Sequence, residues 1–241
     1  ADAKAGKVTA RDKRLVWKWQ AEHVPDFAIA LSNHYRWDAA SVVVDPVSGR
    51  RTSVQAAYPD SATDFTPMVN VAQKTLQFAS TVYPGVPYPY TKTTIVLGSA
   101  DEEYPMMVND GSNVHDHFAA TLPENAYTGF VASHELLHSW FPFYMGINEK
   151  RYPFMDEGWT TAFEYLLNRE VLGVPTADKL FKAFRSSALT LPLSSMDLPI
   201  ITPHDALFAQ SAVFGLNQYG KAALGYLALK DLMGDAPFRT A

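Results

Sequence analysis

The sequence contains no cysteine, which excludes disulfide bonds and thiolate zinc sites but leaves the cellular compartment open. No apolar stretch approaches the roughly 18 residues that a membrane-spanning helix needs. No long basic run is present, and 20 basic against 25 acidic side chains give a net charge of -5, which argues against nucleic-acid binding. Internal repeats and low-complexity tracts are also lacking. The 241 residues, 47% of them hydrophobic, predict one large globular domain or a domain plus a fragment.

The predicted elements place strands first and helices second. Strand-like runs lie at 15–19, 41–45 and 93–97, and an edge strand with a long loop is predicted within 99–125. Helical spacing of apolar residues predicts helices at 64–82, 126–142, 156–172, 177–189 and 211–233, with Thr176 as an N-cap. This order favours an α+β fold with a β-rich N-terminal part and a helical half, rather than an alternating parallel sheet.

The helix predicted at 126–142 carries the most informative pattern in the chain. His134 and His138 are four residues apart, so both imidazoles project from one helix face and can reach one metal ion. Glu135 directly follows the first histidine and is placed to take a proton from an attacking water. Glu157 lies on the next predicted helix, which can return its carboxylate as a third ligand. Two imidazoles, one carboxylate and one open position predict a catalytic site for one Zn²⁺ ion rather than a closed structural site.

Glu164 follows Glu157 by seven residues, or two helical turns, and so lies on the same helix face. Its carboxylate can accept the second ring N–H of a ligand histidine and fix the orientation of that ring. The alternative for Glu164 is an exposed helix carboxylate. The alternative for the whole pattern is a core helix whose polar side chains pair with one another.

These residues resemble the zinc signature of the gluzincin aminopeptidases, the family of alanyl aminopeptidase and leukotriene hydrolase. The resemblance extends around the third ligand, where Asp156 stands in place of the usual asparagine. It implies a thermolysin-like zinc metallopeptidase catalytic domain. It also implies one Zn²⁺ cofactor, with His134, His138 and Glu157 as its ligands and Glu135 as the general base.

A second family motif, Tyr-x-Lys-Gly-Ala, lies on a late helix and supplies a tyrosine hydroxyl that stabilises the oxyanion. Tyr219 begins a matching segment, in which Ala222 replaces the usual glycine. The resemblance therefore implies a catalytic role for Tyr219 as a preorganised hydrogen-bond donor. The alternative is a buried core tyrosine, and Tyr226 competes for the role on the same predicted helix.

A third family motif, Gly-x-Met-Glu-Asn, lies on a strand upstream of the zinc helix and binds the substrate amine. The family variant with Met-Glu-Tyr-Pro aligns Glu103 with the amine-binding glutamate, although Ala100 and Glu102 replace the glycine and the methionine. The resemblance implies that Glu103, together with Glu102, holds the substrate α-amine by charge-assisted hydrogen bonds. The alternative is an exposed acidic loop.

The resemblance covers roughly residues 55 to 235 and implies a domain organisation. Residues 1–54 are predicted to be the end of an N-terminal β-rich region with a linker. Residues 55–241 are predicted to be a thermolysin-like catalytic domain, truncated at its C-terminus and lacking the flanking domains of full-length members.

The function implied by the resemblance is a zinc-dependent aminopeptidase that acts on peptides with a free N-terminus. The alternatives are a zinc endopeptidase or an epoxide hydrolase on the same metal centre, or an inactive binding module that keeps the fold. An exported or periplasmic location is favoured over a cytoplasmic one.

Overall fold

This computed structural model describes residues 18–190, 194, 197–208 and 211–240. Its sheet begins with a tight hairpin. Strand β1 (Arg36–Asp45) pairs antiparallel with β2 (Arg50–Tyr58). The turn is stabilised by the Asp45 carboxylate, which accepts the backbone N–H of Val47 at 3.0 Å. Gly49 then takes the left-handed backbone conformation (φ 73°) that favours glycine.

Strands β3 (Lys92–Leu97), β4 (Glu102–Tyr104) and β5 (Met107–Asp110) complete a mixed sheet. The strand order is β1-β2-β3-β5-β4, with β3 parallel to both neighbours and β4 antiparallel to β5. The strands predicted at 41–45 and 93–97 are confirmed as parts of β1 and β3. The region 99–125 holds two strands rather than one, because the three residues of β4 are too few to form a recognisable pattern.

Two further predictions concern the N-terminal part of the chain. Residues 15–17 of the strand predicted at 15–19 lie outside the described residues, and Trp19 is not in a strand. The boundary predicted between residues 54 and 55 falls inside β2.

Helices α1 (Met68–Thr81) and α2 (Ala126–Leu137) pack on one face of the sheet, and α3 (Pro153–Val171) and α4 (Val174–Thr190) follow in the chain. The buried side chains of this face, such as Ile95 of β3, join those of α1 and α2 in one hydrophobic core. Successive residues of a strand point to opposite faces of the sheet, so only alternate residues of β4 point toward the helices.

Several helix ends differ from the predictions. Helix α1 begins at Met68 rather than at residue 64, because Pro67 has no backbone N–H and suits only a helix start. Helix α4 begins at Val174, so Thr176 lies within its first turn and is not its N-cap. The helix predicted at 126–142 ends as an α-helix at Leu137 and continues as a wider helical turn over Ser139–Tyr144.

The helix predicted at 211–233 is also interrupted. Helix α5 (His204–Phe208) precedes the predicted helix, and helix α6 (Ser211–Phe214) forms its start. A second wider helical turn follows over Gly215–Lys221. Helices α7 (Ala222–Met233) and α8 (Asp235–Thr240) then complete the described chain. Within that described part, no helix has the length and apolar character needed to cross a membrane.

Helices α3 and α7 approach each other so closely that a glycine is needed between them. A Cβ at Gly158 would lie 2.6 Å from the Cβ of Ala222 and 3.0 Å from the Cε2 atom of Tyr226. In the next position, the ring of Trp159 stacks on Tyr226 with centroids 3.7 Å apart. The first half of α3 is therefore held firmly at the position from which its carboxylates reach the site.

Replacing Gly158 with alanine is expected to destabilise the protein by about 1–3 kcal/mol, because the new methyl group overlaps Ala222. Gly225 of α7 is the matched control, since a Cβ there meets nothing within 4 Å and alanine is the better helix former. Urea unfolding followed by circular dichroism measures both variants. Equal stability of the two variants would contradict the close approach of α3 and α7.

Candidate metal centre

The structure brings the three predicted metal ligands together from α2 and α3. Glu157 Oε2 lies 3.1 Å from His134 Nε2 and 3.4 Å from His138 Nε2, and one ligand atom from each residue lies within 4.8 Å of the others. A tetrahedral ion with bonds of about 2.0–2.1 Å requires ligand atoms about 3.3 Å apart. The observed separations fit that requirement, so these residues can hold a zinc ion.

Each histidine is oriented by a contact on its other ring nitrogen. His134 Nδ1 lies 3.3 Å from Glu164 Oε2, and His138 Nδ1 lies 2.9 Å from the carbonyl oxygen of Phe141. These acceptors hold the proton on Nδ1 and leave Nε2 to face Glu157. Glu164 is only 1% exposed, so the alternative of an exposed helix carboxylate is wrong.

The electrostatics of this cluster favour a positive charge at the imidazoles. Burial alone would lower the pKa of His134, but the carboxylates of Glu164 and Glu157 outweigh it and raise the pKa to about 10. Burial would raise the pKa of Glu157, but its contacts with both histidines lower it well below the ordinary value. A cation bound between the histidines and these carboxylates would balance the negative charge that protons on the imidazoles otherwise balance.

Glu135 lies beside the ligands without joining them. Its side chain is buried, and among the described residues it does not belong to the cluster of ligand atoms around Glu157. Burial raises the pKa of Glu135 to about 7, while the neighbouring His134 and His138 partly oppose that shift. A carboxylate with a pKa near neutrality suits the transfer of protons to and from a reacting group.

Tyr219, and not Tyr226, reaches the cluster. The Tyr219 hydroxyl donates to Glu157 Oε1 at 2.5 Å, and its ring stacks on His134 with centroids 5.7 Å apart. Burial first and the charge of Glu157 second raise the pKa of Tyr219 far above its usual value, so the hydroxyl remains a donor. The Tyr226 hydroxyl instead donates to the carbonyl oxygen of Phe154 at 3.3 Å.

The two acidic residues of β4 point to opposite faces of the sheet. Glu103 pairs with the buried Val108, and its carboxylate lies within 4.8 Å of ligand atoms of His138 and Asp156. Glu102 pairs with Asn109 and is exposed. The structure therefore brings Glu103 to the metal centre, while Glu102 is exposed but still feels the charges of Glu157 and His138.

Asp156 is a site residue whose role the sequence did not predict. Its side chain is 5% exposed, and its Oδ1 atom lies 2.7 Å from His138 Nδ1. Burial raises the pKa of Asp156 to about 7, although the charge of His138 opposes that shift. The only signal in the sequence is that an aspartate stands where the family usually has asparagine.

No model of a known protein family matches the sequence, and neither does any curated protein. The fold, however, matches solved structures of M1 zinc metallopeptidases. The M1 zinc metallopeptidase from Deinococcus radiodurans aligns with a TM-score of 0.62 and 19% sequence identity, over 86% of this chain and 43% of that chain. A mutant from the same organism aligns with a TM-score of 0.64, 18% identity and the same two coverages.

A further structure, a mutant M1 zinc metallopeptidase from Deinococcus radiodurans bound to a Tyr-Ser-Ala substrate, aligns with a TM-score of 0.60 and 16% identity, again over 86% of this chain and 43% of that chain. The resemblance to gluzincin aminopeptidases is thus confirmed at the level of the fold. The chain spans less than half the length of the structures that it matches.

Replacing Glu164 with glutamine is expected to weaken zinc binding by about 10- to 100-fold, because the amide keeps the shape but loses the charge that orients His134. Competition with a chelator measures the zinc affinity. Glu170→Gln, an exposed residue of the same helix, is the control and should bind zinc like the unchanged protein. Equal affinity in both variants would remove Glu164 from the metal centre.

Proposed function

We propose that this protein is a zinc metallopeptidase with a thermolysin-like catalytic domain, and that it acts as an aminopeptidase. The observation that carries the proposal is the convergence of His134, His138 and Glu157, with ligand separations that fit tetrahedral zinc. The fold of M1 zinc metallopeptidases supports it, and one of those structures holds a peptide substrate.

The residues around the ligands supply what peptide hydrolysis needs. Zinc bound at the three ligands supplies a Lewis acid that polarises the scissile carbonyl and makes water more acidic. Glu135 is buried beside both ligand histidines, where it takes a proton from the attacking water and passes it to the leaving amine. Tyr219 donates its hydroxyl proton in a hydrogen bond to the developing oxyanion, which stabilises the transition state more than the substrate.

The assignment to the N-terminal peptide bond depends on Glu103. Its carboxylate lies on the core face of β4, close to His138, where it can pair with the positive α-amine of a peptide. An internal peptide bond offers no positive charge at this place, so an endopeptidase reaction is disfavoured.

The free tripeptide Tyr-Ser-Ala is expected to be hydrolysed at its first bond by the zinc-loaded protein, while its N-acetyl form is not, because acetylation removes the positive charge that Glu103 binds. Glu135→Gln is the matched control, since it should keep zinc and lose nearly all turnover. Chromatography of the products and metal analysis measure both properties. Equal cleavage of the acetylated peptide would indicate an endopeptidase. If neither peptide is cleaved, the protein is an epoxide hydrolase or an inactive binding module.

Tyr219→Phe is expected to lower kcat by about 100-fold, because one preorganised oxyanion donor is lost. Tyr226→Phe is the matched control, since its hydroxyl binds the Phe154 carbonyl away from the ligands. Steady-state kinetics on a free-amine peptide compare the two variants. A smaller loss in Tyr219→Phe than in Tyr226→Phe would contradict the assigned donor.

A further inference from the structure

The wider helical turn that carries Tyr219 is held by an irregular segment of the chain. Over Gly215–Lys221 the backbone departs from α-helical geometry, and such turns are rare within helices. Contacts from outside the helix are therefore needed to keep the turn in this form. Residues 197–202, between α4 and α5, supply such contacts and form the 197–202 segment.

Lys221 makes two of these contacts at the C-terminal end of the turn. Its ammonium group donates to Asp197 Oδ1 at 2.6 Å and to the carbonyl oxygen of Leu198 at 2.7 Å. Hydrogen bonds from a charged donor are stronger than those between neutral groups. One side chain thus binds the end of the turn to both a side chain and the backbone of the segment.

Two buried amides of the same turn donate to the same segment. Asn217 donates to the carbonyl oxygen of Pro199 at 3.1 Å, and Gln218 donates to that of Thr202 at 3.4 Å. A buried amide that loses such an acceptor is costly, so these bonds favour one position of the turn.

The position of the turn decides where Tyr219 points. Helix α7 is fixed against α3, where Gly158 makes its close approach, and consecutive helix residues point about 100° apart. Loss of the wider turn in favour of a regular helix would therefore rotate residues of the turn relative to α7. The Tyr219 hydroxyl would then move away from Glu157, to which it donates.

We propose that Lys221 is a positioning residue, whose bonds to Asp197 and Leu198 hold the wider turn in the form that directs Tyr219 into the metal centre. The inference rests on the proposed function, because it takes Tyr219 as the oxyanion donor. Residues two apart on a helix do not face each other, so Lys221 acts through the backbone rather than by contact with Tyr219. The alternative is a partly exposed ion pair that only contributes to stability.

The first test is a double-mutant cycle in the zinc-loaded protein. Lys221→Met keeps the aliphatic stem and is expected to lower kcat on Tyr-Ser-Ala by about 10-fold or more, with a smaller change in KM and none in zinc content. Added to Tyr219→Phe, the same change is expected to lower kcat by less than about 2-fold, because no hydroxyl remains to be displaced. Lys230→Met removes another ion pair of α7, with Asp235, and is the matched control that should leave kcat unchanged.

The second test observes Tyr219 without a peptide. Carbon-13 NMR of protein labelled at tyrosine Cζ identifies its signal as the one lost in Tyr219→Phe. That signal is expected to shift in Lys221→Met and, by less, in Asp197→Asn, which keeps the bond to the Leu198 carbonyl. It should not shift in Lys230→Met.

Three results would overturn the inference. An unchanged Tyr219 signal in both Lys221→Met and Asp197→Asn would show that the 197–202 segment does not position the hydroxyl. Equal losses of kcat with and without that hydroxyl would show that Lys221 acts on the whole fold, and an equal shift in Lys230→Met would show a general effect of losing an ion pair. If circular dichroism shows that Lys221→Met does not fold, Asp197→Asn alone decides, and an unchanged signal in it overturns the inference. The NMR comparison needs no hydrolysis, so the absence of hydrolysis by the unchanged protein would contradict the proposed function alone.

Discussion

The attraction between buried carboxylates and positive charge on two imidazoles is the interaction on which the site depends. Glu135, Asp156 and Glu164 are 7%, 5% and 1% exposed, and Glu157 lies among them. A carboxylate buried without a positive partner costs several kcal/mol, so this region is stable only with positive charge between α2 and α3. Protons on the histidines or a bound metal ion can provide that charge. The two helices are therefore held together by charge as well as by apolar packing.

Both wider helical turns lie where the site needs a group that a regular helix does not offer. The turn over Ser139–Tyr144 directs the Phe141 carbonyl back toward His138, where a regular helix would use that oxygen within its own backbone. The turn over Gly215–Lys221 carries Tyr219, whose hydroxyl reaches Glu157. In both places the backbone departs from α-helical geometry to place one hydrogen-bonding group at the metal centre.

The sequence predicts those parts of the site that depend on local geometry. The histidines fall on one face because they are four residues apart, and Glu164 faces His134 because it lies two turns beyond Glu157. The choice between Glu103 and Glu102 needs the pairing of β4 with β5, and three residues do not reveal their register. The wider turns and the pairing of Asp156 with His138 depend on contacts between distant elements, which local spacing does not encode.

The first turn of α3 contacts one histidine ring at both of its nitrogens. Consecutive helix residues point about 100° apart, so Glu157 Oε2 lies 3.4 Å from His138 Nε2 while Asp156 Oδ1 lies 2.7 Å from His138 Nδ1. The Phe141 carbonyl contacts the same Nδ1 atom from the wider turn that follows α2. Because an acceptor on one ring nitrogen orients the ring and makes the other nitrogen a better metal ligand, two adjacent residues of α3 act on the same imidazole. The buried charge that holds α2 and α3 together therefore also fixes the orientation of the ring.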